Sequence, residues 1–330
     1  MTRLLLTGVA GFAGHHIVEH VLATTDWEVV GLASFRHRGC PRRLAHLEND
    51  RLQVLHADLS APINERLAEE IGAVDYIIHA AAESHVERSL AEPRSFIENN
   101  VAVTITMLEF ARRCRPRALI QVSTDEVYGP AVAPHRHREW EPVIPSNPYS
   151  ASKAAQEAVA IAYWRSYGVP MLISNCMNLI GERQDVEKFV PMVMRRVLAG
   201  EAVPIHWDGL SGAIGSRHYL HARNHADALL WLLQRPQRGC FPDVDRPDRW
   251  HIVGELEVDN LELATMIAAV IGKPLRAEYV DFHQSRPGHD LRYALDGAKL
   301  AATGWRPPVP FASSLERTVE WTMRHPEWLL

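Results

Sequence analysis

The chain has no CxxC pair; its four cysteines, Cys40, Cys114, Cys176 and Cys240, lie far apart in 330 residues. Scattered thiols offer neither the paired spacing of a zinc site nor a disulfide framework, so reduced packing cysteines and no metal are expected. An excess of one charge is also missing. Lys and Arg number 35 against 40 Asp and Glu, a formal net charge of -5, and no basic stripe suits a nucleic-acid backbone. No apolar run approaches the roughly 20 residues of a membrane span. Neither a nucleic-acid nor a membrane partner is expected. The opening "MTRLLLTGVAG" has one early Arg and a short apolar run, but passes into a glycine turn instead of a cleavage site, so a cytoplasmic location is expected. Internal repeats and low-complexity segments are absent. What is present is 47% hydrophobic and 23% charged sequence, which suits a packed chain of one large domain or two smaller ones.

Apolar runs alternate with helical periodicity from the start. "RLLLT", "WEVVGLA", "RLQVLHAD", "VDYIIHAAA", "ALIQVS" and "VPMLISN" read as strands, separated by "GFAGHHIVEHVLATT", the stretch from Ser95 to Arg113, and "NPYSASKAAQEAVAIAYWRSYG". In the last of these helices Pro148 suits the first turn and Gly168 the end. Strands this apolar, each followed by a helix, require cover on both faces, which predicts a doubly wound, Rossmann-like parallel α/β sheet. Beyond about residue 176 strands shorten and prolines and charges increase. A dinucleotide-binding part over 1–176 carrying the catalytic residues and a smaller substrate lobe over 177–330 are expected, with some later segments able to return to the sheet.

Two motifs carry chemistry. "TGVAGFAG" places Gly8, Gly11 and Gly14 between the first strand and first helix, where small residues admit a pyrophosphate to free backbone N-H groups. Phe12 and Ala13 belong to the same turn. Asp58, followed by Leu59, comes after the third strand, where an acid can meet an adenine edge; a surface turn explains it nearly as well. In "YSASK", Tyr149 and Lys153 are four residues apart and share one helix face, so the ammonium can stabilise a phenolate and make the tyrosine a base. Between these motifs, "IQVSTDEVYG" ends a strand with Ser123, Thr124, Asp125 and Glu126. At the carboxyl end of a parallel strand all can reach the ligand crevice. Hydride transfer needs no such acid pair, whereas an elimination requires two further proton transfers.

The glycine turn, the Ser-Thr strand end and the Tyr/Lys pair together resemble the active-site set of the extended short-chain dehydrogenase/reductases. "STDEVYG", "HAAAESHVERSL", "NPYSASKAA" and "SRPGHDLRYALD" further resemble the nucleotide-sugar 4,6-dehydratases, dTDP-glucose 4,6-dehydratase and its close relatives, from residue 3 nearly to the C-terminus. The resemblance implies a lyase with a tightly bound, regenerated nicotinamide cofactor that makes a 4-keto-6-deoxy sugar from a nucleotide-diphosphate hexose. It assigns Tyr149 to the 4-hydroxyl proton, Glu126 to the C5 proton, Asp125 to the leaving 6-hydroxyl and Thr124 to the 4-oxygen. Ser123 and Lys153 would hold the nicotinamide side, with Ala80 and Ala81 lining the cofactor site. Ser84, His85, Asn178, Lys188, Arg217, His251, Arg286 and His289 would contact the substrate, His251 near the nucleotide base and Arg217 at phosphate. A homodimer is also implied.

Departures from the family pattern cluster near the nucleotide: "NLIGERQ" replaces "NNYGPYQ" and "RHYLHARN" replaces "RDWLYVED". The base and the hexose therefore stay open. Ala33 stands where NAD-binding members usually have an Asp, and Ser34, Arg36 and Arg38 follow; NAD+ is implied by resemblance, and NADP+ is an alternative because no acid repels a 2'-phosphate. Two rival functions are a 4-epimerase, which shares the Tyr/Lys pair but needs no acid pair, and a non-catalytic cofactor sensor, from which Tyr or Lys would be missing.

Overall fold

A computed structural model describes all residues except 37, 48, 236–244 and 283–289. Seven parallel strands form the central sheet: β1 (Arg3–Thr7), β2 (Glu28–Ala33), β3 (Leu52–His56), β4 (Tyr76–His79), β5 (Ala118–Thr124), β6 (Met171–Cys176) and β11 (Asp248–Ile252), in the order β11-β6-β5-β4-β1-β2-β3. Strand alternation feeds both faces. In β1, Leu4 and Leu6 enter one core and Leu5 the other; in β5, Ala118 and Ile120 split from Leu119 in the same way. Helices α1 (Phe12–Thr24) and α7 (Ala222–Leu233) cover one face, and α4 (Pro93–Cys114) and α5 (Pro148–Tyr167) the other. The short α2 (Glu65–Ile71) and α3 (Val86–Ala91) lie in the connections.

The order in which successive strands are laid down reverses between β1 and β4, the switch point at which ligands bind in such sheets. Thr7 pins the two strand ends together there. Its hydroxyl accepts from the N-H groups of Ala80 (3.1 Å) and Ala81 (3.0 Å), so its proton goes to His79 Nδ1 at 2.8 Å. His79 Nε2 then carries the ring proton and donates it to Thr104 at 3.2 Å. Burial keeps this histidine neutral, its pKa lowered to about 3.

The later part of the chain builds a second core from α6 (Phe189–Ala199), α8 (Asn260–Ile271) and the helix Phe311–Arg324, packed with β8 (Val203–Trp207), whose parallel partner is β13 (Ala277–Asp281). Short pairs β7 (Leu179–Ile180) with β10 (Leu220–His221), and β9 (Ser216–His218) with β12 (Glu257–Asp259), join it to the main sheet. Residue 176 is thus not a clean boundary, since β11 and α7 return to the first body.

Candidate active site

A cleft of about 410 Å³ opens at the carboxyl ends of the central strands. Gly8, Gly11, Phe12, Ala13 and Gly14 form its floor; Ser34, Arg36, Asp58 and Leu59 lie at one end; Ala80, Ala81, Ser84 and His85 follow β4. Ser123, Thr124, Asp125, Glu126, Tyr149 and Lys153 make the opposite wall, with Asn178 and Lys188 across from them.

The glycine turn is as tight as its sequence suggests. Gly8 has φ +75°, and a Cβ on Gly14 would lie 2.1 Å from the Gly8 carbonyl oxygen, a distance no side chain tolerates. No side chain caps α1 at Gly11, so its first-turn amides are left for an anion. On the opposite wall, Ser123 Oγ and Asp125 Oδ2 are buried with no protein partner. Unfilled polar atoms at one end and a turn kept open by its glycines at the other fit a dinucleotide stretched along the cleft.

The acid pair is positioned by the end of β5. At Thr124 the strand passes into a single turn, Asp125–Tyr128, so consecutive side chains no longer alternate and both acids reach the cleft. Thr124 Oγ1 donates to Asp125 Oδ1 at 2.8 Å and accepts from the Glu126 N-H at 3.3 Å. Asn147 Nδ2 approaches Glu126 Oε2 at 3.4 Å. Burial and the neighbouring Glu126 charge push the Asp125 carboxyl up to about 7. Burial also raises Glu126, opposed by the Asn147 hydrogen bond and by the charges of Arg217 and Lys188. The two carboxyls are therefore unlike: one is bonded to a hydroxyl and poised near neutrality, the other is turned to an amide and two cations.

Tyr149 and Lys153 share the cleft face of α5. The sequence predicts a phenol pKa lowered by the ammonium, but burial and the Glu126 and Asp125 charges raise it well above the ordinary value. The physical reason lies with Lys153, whose Nζ donates to the Val122 carbonyl at 2.7 Å and whose pKa burial lowers to about 8. With the ammonium committed to the strand, burial dominates the phenol and the two acids add to it. Positive charge from a bound oxidised nicotinamide is the complement this site calls for.

Two expected contacts fall elsewhere. His251 is fully buried in β11, with Nε2 2.8 Å from the Tyr128 hydroxyl and Nδ1 3.1 Å from the Asp296 carbonyl. It supports the turn behind the acid pair, and its expected place at a nucleotide base is corrected. Arg217 does not line the cleft: it lies over the Tyr293 ring at 4.4 Å and donates to the carbonyls of Ser216, Asp290 and Leu291. Its charge acts on the acid pair from behind. Arg286 and His289 lie outside the described residues. Arg36 is paired with Asp58 and Arg38 with Glu187, so the charges expected to welcome a 2'-phosphate are already neutralised by carboxylates.

Sequence reasoning missed Asn147, which caps α5 in a reciprocal box with Ser150 (2.9 and 3.1 Å) while its amide reaches Glu126. Its signal was the "SNP" before the helix. Glu187, 3.4 Å from His85 Nε2, was also missed.

Residues 4–244 match the model of the NAD dependent epimerase/dehydratase family. The chain belongs to this family. Among its relatives, a probable dTDP-glucose 4,6-dehydratase of Sinorhizobium fredii is 34% identical over 99% of this chain and 94% of its own length. The crystal structure of a dTDP-glucose 4,6-dehydratase from Streptomyces venezuelae with NAD bound superposes with a TM-score of 0.87, at 37% identity over 99% of this chain and 98% of that one. A UDP-glucose 4-epimerase of Thermus thermophilus in complex with NAD gives 0.83 at 28% identity, over 97% and 98%. This family member thus shares its fold with both reaction types, and the acid pair is the feature that bears on the choice.

Proposed function

We propose that the chain is a nucleotide-sugar 4,6-dehydratase that converts a nucleotide-diphosphate hexose, with glucose the expected sugar, to the 4-keto-6-deoxy sugar and water. The observation that carries this reading is the pair of unlike carboxyls, Asp125 and Glu126, in one cleft wall with Thr124, Tyr149 and Lys153. An epimerase has no use for them. NAD+ is the cofactor; the glycine turn, Ser34, Asp58, Ser123 and Lys153 would hold it, and when bound it would supply a hydride acceptor for C4 and a hydride donor for C6. Tyr149 takes the 4-hydroxyl proton, with Thr124 bonded to the same oxygen. The resulting ketone acidifies C5. Glu126 removes the C5 proton while Asp125 gives its proton to the departing 6-hydroxyl, which leaves as water. Glu126 then returns a proton to C5, so that, with the hydride the cofactor would give back, only water is lost.

Residues 1–176 with the returning β11 serve the cofactor, and the second core, with Asn178 and Lys188 at its edge, serves the nucleotide sugar. A cytoplasmic homodimer is the working form; no helix among the described residues is long and apolar enough to cross a membrane. Incubation with a panel of nucleotide-activated hexoses should yield a 4-keto-6-deoxy product. A change confined to C4 would indicate epimerisation, and no turnover a sensor. Glu126→Gln should keep sugar and cofactor bound yet lose incorporation of solvent deuterium at C5, because an amide cannot accept the proton. Mass analysis of the denatured protein should find NAD.

A further inference from the structure

The loop between the acid pair and α5 reads "PAVAPHRHREWEPVIPS", and three of its side chains converge outside the cleft. His135 Nε2 and His137 Nδ1 each lie 2.9 Å from Glu141 Oε2 and 3.3 Å from one another. We propose that His135, His137 and Glu141 bind one divalent transition-metal ion, with Zn2+ the best-matched probe, and that the ion fastens this loop behind the catalytic turn.

The backbone builds the convergence. His137 N-H donates to the Ala294 carbonyl at 2.9 Å and its carbonyl accepts from Asp296 N-H at 2.8 Å, so the residue is locked beside residue 295. The His135 carbonyl accepts from Arg292 at 2.8 Å, and a turn closed by Glu141 N-H on the Arg138 carbonyl brings the carboxylate back over both rings. The His137 ring lies flat against Tyr128, centroids 5.2 Å apart and planes 14° from parallel, which holds Nδ1 toward the cluster. His135 meets it edge-on at 4.8 Å.

The triangle of donor atoms has the right size. A point about 1.1 Å above its plane lies about 2.1 Å from all three atoms, the Zn-N and Zn-O bond length, and sees them at angles of roughly 87 to 104°. Two imidazoles and one carboxylate are the donor set of zinc and its first-row neighbours, whereas calcium and magnesium prefer oxygen alone. Without an ion, one carboxylate oxygen, Glu141 Oε2, is shared as a partner by both ring nitrogens. His135 is half exposed, which leaves an entry path and a further coordination position open to solvent. Sequence reading, keyed to paired cysteines, had no reason to expect a metal here.

The test uses the full chain stripped with a chelator, titrated with Zn2+ by calorimetry and followed by thermal unfolding. One Zn2+ per chain should bind with a Kd of about 1 µM or tighter and raise the unfolding midpoint. His135→Ala and Glu141→Gln, both near the surface, should keep the wild-type circular dichroism, weaken binding roughly 100-fold and abolish the thermal gain. Wild-type affinity weaker than about 100 µM would overturn the proposal. So would full-strength binding in both variants, which would put the ion on other histidines.

Discussion

Asp125 sets the pH behaviour of the site. In its proposed role as proton donor to the 6-hydroxyl it must be protonated, and burial with the adjacent Glu126 charge raises its pKa to about 7. The elimination rate should therefore fall as pH rises through about 7, measured as product formation against pH. Linkage gives a second sign. A carboxyl raised from 3.8 to about 7 contributes stability that is complete below the lower value and lost as pH rises through the upper one. Asp125→Asn cannot ionise, so at pH 8 it should melt a few degrees higher than the parent while losing dehydration. Equal melting temperatures at pH 8 would show that the charge on Asp125 is compensated in the folded protein. Neither shift could be read from "STDE", because burial and the positions of Arg217 and Lys188 exist only after folding. The residue types and their adjacency were legible; their protonation was not.

At the scale of elements, α5 carries Tyr149 and Lys153 but is fixed at its start by Asn147. Asn147→Ala should cost about 1 kcal/mol of stability through the lost cap, seen in denaturant unfolding. It should also slow C5 exchange more than C4 oxidation, because the same amide reaches Glu126. Equal losses in both steps would assign it a purely structural part. The first six strands and the longer helices α1, α4 and α5 were legible, since apolar runs and helical periodicity alternate there, whereas the short α2 and α3 were not read. The substrate side was less so, because its contacts depend on which way short segments turn. The two stretches that depart from the family pattern illustrate this. Glu182 of "NLIGERQ" lies 3.0 Å from His221 of "RHYLHARN" and 3.1 Å from Arg317. Although burial opposes it, the His221 hydrogen bond holds this carboxyl well below the usual range. Two changes that look like altered specificity in sequence thus answer one another in a buried network. Arg217 and His251 were misplaced for a related reason: each spends its polar atoms on backbone carbonyls or on Tyr128.

For the whole molecule, the α4 and α5 face leaves Ile97, Ile105 and Tyr167 more than a third exposed. Helices with such apolar positions can pair about a two-fold axis, and the expected result is a dimer mass in light scattering. Ile105→Glu should shift it toward the monomer without altering the far-ultraviolet spectrum. A monomer at every concentration of the parent would contradict the assembly.

β11 lies at the sheet edge, yet it arrives 72 positions after β6 ends, from Cys176 to Asp248. On the ribosome, at roughly 5–20 residues per second, the β6 edge waits about 4–14 s with its hydrogen-bonding groups unpaired. Glu157 waits longer still, 92 positions, for Arg249, its partner at 2.6 Å in the interior. The nascent chain therefore passes through a sticky interval that the finished protein does not reveal. A chain ending at residue 246 should keep that interval permanently and collect in the insoluble fraction, whereas one ending at residue 255 should show more soluble material; equal solubility of the two would mean that the edge is shielded by other means.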